Sequence, residues 1–301
     1  MTDTTTSVLA DLERRLAAGE AFGRADAERI STCADLIGVG VLGEAARRAA
    51  RGARVTFGRV LTAGPGAAIE PGEAGEVRLI DAGTDRVALV ARVREARAAA
   101  GRCALTGFTV PELLALAGGD RAALAGVASD LAAAGLESVA DAPIDRLGDA
   151  ADPIEIVRAL QQGGLGVWRA TVTDAQGPAR LDVIERAAAI QDATGAFRAF
   201  APLPLADSRD EPATGYDDVR TIAAARLRCM TIPSIQVDWQ IYGPKLAQVA
   251  IAYGADDLDN VPAVDTVQLG HRRSPREDLE RQIRSAFAEP AERNGRFEVR
   301  A

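Results

Sequence analysis

The sequence is poor in the residues that build most catalytic centres. It has three cysteines, Cys33, Cys103 and Cys229, far apart and in no CxxC pair, one histidine, His271, and one lysine, Lys245. One histidine with scattered cysteines excludes a zinc centre of ordinary ligand spacing, and it leaves almost nothing from which to assemble a Ser–His–Asp triad. His271, between Gly270 and Arg272-Arg273, reads as a surface residue. An odd number of thiols and a polar, Thr-rich start, Met1 to Ser7, predict free cysteines in a reducing cytoplasm. No apolar run approaches the length of a membrane span. A net charge of −8 and a pI near 5.0 argue against a nucleic-acid partner, which needs clustered positive charge. Gly64-Pro65-Gly66 and Gly163-Gly164 match neither a P-loop nor GxGxxG and read as turns.

Aromatic residues are also scarce, at 4% of 301 residues, although 48% of the chain is hydrophobic. The core must therefore be built from Ala, Val, Leu and Ile. Residues 8–51 repeat apolar positions every three or four residues, which predicts short helices broken at Gly19 and Gly23. Beyond Gly52 the pattern changes. Runs at 55–61, 77–81, 104–109, 136–140, 166–174, 197–205 and 235–239 read as strands. Between them, 87–100, 110–134, 154–161, 180–192, 216–228 and 244–253 read as helices. Alternation of this kind makes parallel βαβ units, and several in series make a TIM-like barrel. The expected organisation is a helical extension over 1–53, a partial α/β barrel over 54–265, and a helical extension over 266–301 that becomes extended at 296–300.

Several segments, in order, carry a family likeness. Gly215 to Leu227 resembles the "tGxDDLRTIAvARL" helix of the radical-SAM enzymes of menaquinone and deazaflavin biosynthesis: aminofutalosine synthase, dehypoxanthine futalosine cyclase and FO synthase. Ile232-Pro233-Ser234-Ile235, Trp239, Gly243 to Gln248 and Gly254 to Asp259 resemble "IPHIkAyW…GpKlAQvAL.fGADDLDGT". Gln191 to Phe197 and Phe200 to Leu205 resemble "LQdeTGGFtaFIPLpF". Gly19 to Phe22 and Asp35 to Gly40 resemble the amino-terminal "GERLs…DLxaLG" helices, and Pro290 to Arg293 the tail "PvERd". The likeness is greatest to aminofutalosine synthase. It implies a radical-SAM type α/β barrel.

The departures fall in the family's active parts. Members follow the first strand with CxxxCxxC, whose thiolates hold a 4Fe–4S cluster that chelates SAM. Here residues 61–75 contain no cysteine, and the segment is short for the loop and helix of a βα unit. The barrel is therefore expected to be incomplete or distorted near its first βα unit. The "GG" after the second strand is replaced by Asp81-Ala82-Gly83, the "GGGAEI" loop by Ala140 to Ile144, and "ATMMYGH" by Ala170 to Gln176. The "HRaAH" histidines are missing near Glu155 to Leu160. These losses imply no cluster and no SAM binding.

In a TIM-like barrel the functional side chains project from the carboxyl ends of the strands. That places Asp81, Thr106, Asp141, Asp174, Asp238, Asp256, Asp257 and Asp259 as candidates, with helix capping as the competing role for each Asp. Asp256, Asp257 and Asp259 stand out because the motif survives around them. Trp239 is either a ligand platform or core. Trp168 reads as core and Arg169 as a helix contact. The expected function is that of a non-catalytic partner or modulator of an active radical-SAM paralogue or another enzyme of the futalosine pathway, with a small-molecule ligand as a further option. The alternative is a repurposed barrel acting without cluster or SAM on a nucleoside or naphthoate-like metabolite.

Overall fold

In the computed structural model, residues 2–147, 152–205, 215–264 and 276–300 are described; His271 lies outside them. Three helices open the chain, α1 (Thr2–Ala17), α2 (Arg24–Ser31) and α3 (Leu36–Arg51). The barrel begins with β1 (Arg54–Ala63) and β2 (Glu76–Leu79) and continues as α4 (Arg86–Ala100), β3 (Ala104–Thr109), α5 (Val110–Leu116), α6 (Arg121–Ala133) and β4 (Ser138–Pro143). Then come α7 (Pro153–Gln162), β5 (Arg169–Val172), α8 (Ala179–Thr194), β6 (Ala199–Pro204), α9 (Gly215–Arg228), β7 (Ser234–Asp238), α10 (Trp239–Ile251) and β8 (Asp257–Pro262). The chain ends with α11 (Arg276–Ser285) and β9 (Glu289–Arg293).

Local sequence explains many of the boundaries. Asp35, Asp85, Asp120, Asp152 and Asp238 each accept a backbone N–H in the first turn of the helix that follows. Thr109 and Glu112 form a reciprocal capping box on α5. These side chains satisfy donors that a helix start leaves open. The stretch read as one helix over 110–134 is two, because Gly118 and Gly119 both take positive φ, which glycine adopts without steric cost.

All pairings from β1 through β8 are parallel, and β1 pairs with both β8 and β2. The ring of eight strands is therefore closed. What the first unit lacks is its helix: among residues 64–75 there is none. The irregularity near that unit has a second source. β9 pairs in parallel with Arg54 to Gly58 of β1, while β8 occupies the other edge of the same residues. The carboxyl-terminal segment, expected to be helical, thus adds a strand. It fills the edge of β1 below the point where β2 begins to pair, at Val60.

The two faces of the strands are used in the reverse of the common barrel pattern, in which branched apolar residues fill the interior. Outward residues such as Phe57, Val77, Leu79, Leu105, Ile235, Val237 and Leu258 are buried under the helices in one continuous apolar core. Inward residues are Thr56, Glu76, Arg78, Thr106, Arg169, Gln236, Asp257 and Asp259, all buried. Period-two alternation therefore separates an oily outer shell from a charged lumen.

Candidate functional site

The lumen is organised around Asp257 and Asp259, two residues apart on β8 and so on the same face. Arg293 reaches them from β9. Its Nε donates to Asp257 Oδ1 at 2.6 Å, and its Nη2 donates to Asp257 Oδ2 and Asp259 Oδ1, both at 2.7 Å. Thr56 and Gln236 also donate to Asp257, the latter at 2.7 Å. Asp259 Oδ2 receives Arg78 Nη2 at 3.0 Å and Arg169 Nη1. One carboxylate is thus shared by three arginines from β2, β5 and β9. Arg78 in turn binds Glu76, which takes Thr106 Oγ1 at 2.6 Å, and Arg169 binds Asp141. Gly58 leaves room beside this centre: a Cβ there would lie 2.7 Å from Arg293 Nη1 and would make the guanidinium shift.

Charge-assisted bonds of this kind are worth forming in a low-dielectric interior only if every ion is paired. Burial alone would raise the Asp257 carboxyl; the Arg293 guanidinium, with the Thr56 and Gln236 hydrogen bonds, holds it below the usual carboxylate range. Glu76 behaves likewise, burial being outweighed by Arg78. The void left among these side chains is about 10 Å³, bordered by Glu76, Arg78, Arg169, Asp259, Trp168 and Phe297 among others. That is at the lower limit for one water molecule.

The remaining candidates are distributed around this network. Asp238 caps α10 through Ile241 N–H at 2.9 Å and accepts from Asn260 Nδ2 at 2.9 Å. Trp239, the first residue of α10, is buried. Asp256, one residue before β8, faces the opposite way: it accepts from Arg226 and from Ile235 N–H at 2.7 Å. Burial pushes its carboxyl up in spite of these partners. Asp81 is exposed in a left-handed turn and accepts from Gly83 N–H at 3.0 Å. Asp174 is half-exposed and pairs with Arg146. The structure therefore brings Asp257 and Asp259 into one centre, has Asp238 cap α10 beside it, and leaves Asp81, Asp174 and Asp256 outside it.

Two placements correct the reading of the sequence. Asp257 and Asp259 lie within a strand, Asp257 as its first residue, rather than at a carboxyl-terminal end. Arg169 is not a helix contact but a lumen residue, and Trp168, half-buried rather than core, carries the Arg198 guanidinium at 4.3 Å from its ring centre. The decisive residues that the sequence did not mark as functional are Arg78, Arg169 and Arg293. For Arg78 and Arg169 the available signal was a basic residue in a run that otherwise reads as a strand; for Arg293, in a charged segment, there was none.

The chain's thiols do not fit an iron–sulfur cluster. Cys33 lies in the turn between α2 and α3, Cys103 between α4 and β3 with its thiol 3.2 Å from the Ala74 carbonyl, and Cys229 just after α9. Cys229 is fully buried and burial pushes its thiol up to about 12, so it stays protonated. The three sulfurs lie on three separate elements, and none follows β1. Among the described residues no group of three or more His, Cys, Asp or Glu is placed to hold a metal ion, and no helix is long and apolar enough to cross a membrane.

Comparison with known proteins agrees with this architecture. No family model matches the chain. Over 143 residues, 40% of this chain, it is 33% identical to the aminodeoxyfutalosine synthase of Streptomyces coelicolor. Over 117 residues it is 32% identical to the cyclic dehypoxanthine futalosine synthase of the same organism. The chain spans 36% and 29% of the lengths of these two relatives. Among solved structures, methylornithine synthase superposes with a TM-score of 0.63 at 12% identity, covering 93% of this chain and 97% of that one. The FeFe-hydrogenase maturase HydG from Carboxydothermus hydrogenoformans superposes with a TM-score of 0.65, also at 12% identity, covering 96% and 80%. The fold is the closed parallel barrel of radical-SAM type, and the sequence relatives include futalosine enzymes and archaeal 5-amino-6-(D-ribitylamino)uracil–L-tyrosine 4-hydroxyphenyl transferases.

Proposed function

We propose that this relative of the futalosine-pathway enzymes works without an iron–sulfur cluster or SAM, as a non-catalytic partner or modulator of an active radical-SAM paralogue in futalosine-type menaquinone or deazaflavin biosynthesis. The observation that carries this reading is the state of the lumen. The barrel interior is filled by Arg78, Arg169 and Arg293, whose guanidinium groups converge on Asp259. Three of the roughly four lone-pair sites of this carboxylate are already taken by arginines, which leaves it poorly placed to act as a base. Opening the centre would leave several buried ions unpaired, at a cost of several kcal/mol each. The cysteines support the same reading, because the connection after β1 carries none.

Two measurements test it. The purified chain, reconstituted anaerobically with iron and sulfide, should stay colourless and should not cleave SAM. Stoichiometric iron with the broad visible absorbance of a 4Fe–4S protein would overturn the cluster-free reading. Mixed with an aminodeoxyfutalosine synthase from the same cell, it should elute as a complex in gel filtration and change that enzyme's turnover. Turnover of a nucleoside or naphthoate-like metabolite by the isolated chain, with no effect on the synthase, would replace the partner role by catalysis.

A further inference from the structure

Each connection from β2 to β8 contains at least one helix, whereas β1 and β2 are joined by residues 64–75 alone. Beside that connection, outside the lumen, lies a cleft of about 260 Å³. Leu79 of β2 and Ala96 of α4, both buried, line it, together with half-buried Ile69 of the connection. Arg92, Glu95 and Ala99 line it from α4 as well. Residues 92, 95, 96 and 99 have the spacing of one helix face, the face a neighbouring helix would otherwise cover.

Two opposite charges on this face are left without ion-pair partners. Arg92 is half-buried; its Nη1 donates to the Asp81 carbonyl at 2.6 Å, and its Nη2 to the Ala63 and Ile80 carbonyls, both at 2.9 Å. These neutral acceptors fix the guanidinium without neutralising it. Burial pulls it below its ordinary value, opposed by Asp81 and Glu112 through charge alone, and a guanidinium keeps its proton regardless. Among the described residues no carboxylate pairs with Arg92, and its Nε has no acceptor. Glu95 is exposed and has neither an ion pair nor a hydrogen bond among the described residues, not even with Arg92.

We infer that this cleft binds a small apolar α-amino acid, its carboxylate on Arg92 and its ammonium on Glu95. A simple anion would meet the repulsion of Glu95, and a simple amine that of Arg92; a zwitterion satisfies both. Ile69, Leu79 and Ala96 offer no partner to a polar side chain, whose desolvation would go uncompensated. At roughly 30 Å³ per water, the cleft has the room of about nine waters, which suits leucine or methionine better than a drug-sized ligand. The site is independent of the partner role proposed for the barrel.

Calorimetric titration of the full chain with L-leucine, L-methionine and L-phenylalanine tests this. Saturable binding of at least one is expected. Two leucine analogues, 4-methylpentanoate and 3-methylbutylamine, each lack one charge and should bind at least about tenfold more weakly than leucine. Glu95→Gln, at an exposed position, should weaken amino-acid binding by about tenfold. Ala99→Leu keeps both charges but fills the rim, and should abolish binding, as should Arg92→Met. If Arg92→Met does not fold, the two variants at exposed positions still decide. Absence of saturable binding by all three amino acids would overturn the inference. So would analogues that bind as tightly as leucine, or an Ala99→Leu protein with undiminished affinity.

Discussion

The first and last strand pairs of the barrel are built on the same plan and have met opposite ends. Between β7 and β8 stands α10, capped by Asp238, and the two strands carry Gln236, Asp257 and Asp259 into the lumen. Between β1 and β2 there is only an irregular connection. A cleft of about 260 Å³ lies between Gly64, Ile69 and Leu79 on one side and Arg92, Glu95 and Ala96 of α4 on the other. Arg92 closes the top of this gap, donating to the carbonyls of Ala63, Ile80 and Asp81 at 2.6 to 2.9 Å. The difference teaches which parts of a parallel barrel are expendable. A helix outside two strands can be lost if their backbone groups and apolar faces find other cover. The charged belt inside cannot lose a member, because each buried ion depends on the rest.

If that contrast is right, the largest effect should follow from Arg293→Met. It strands Asp257 and Asp259 without their common partner, and should cost about 4 kcal/mol in urea unfolding. Asp259→Asn keeps the shape and removes the charge that three arginines share; a loss of about 3 kcal/mol is expected. A stable Asp259→Asn protein that instead lost affinity for a small molecule would return Asp259 to the role of ligand residue.

Acid should attack the same belt. Asp257 and Glu76 titrate below their ordinary values when folded. Their contribution is therefore fully present above the unfolded carboxylate pKa, near 4, and is lost as pH falls through the lower folded values. Unfolding free energy should hold at pH 5 and decline below about pH 4. In Arg293→Met the decline should begin at higher pH, since the Asp257 carboxyl loses the partner that depresses it.

Effects at the first unit should be smaller. Arg92→Met removes three hydrogen bonds to strand-end carbonyls that water can partly replace, so about 1.5 kcal/mol is expected. Ala68→Ser, on the exposed connection, should fall within about 0.5 kcal/mol of the parent. A larger loss at Ala68 than at Asp259 would invert the comparison.

Much of this architecture was legible in the chain itself. Strand and helix alternate with clear periods from 104 to 253, and β3 was read with its observed ends. Asp238 was legible as a cap, because Asp before a helix has a local partner in the next turn. β8 was not read as a strand. Asp-Leu-Asp-Asn looks like a polar loop unless its acidic face has basic partners. β9 escaped for a similar reason: Pro290 and three charged residues carry no strand signature, and its pairing with β1 comes from the far end of the chain.

The sequence by itself determined the barrel, its closing motif and the absence of the cysteine triplet, because periodicity, caps and ligand spacing are local properties. Only the tertiary structure decided that the lumen is sealed by charge. The partners of Asp259 are 90 and 181 residues before it, at Arg169 and Arg78, and 34 after it, at Arg293. No local pattern marks such residues as a set. Closing the strands into a ring brings them within bonding distance, and burial then makes each arginine depend on its carboxylate.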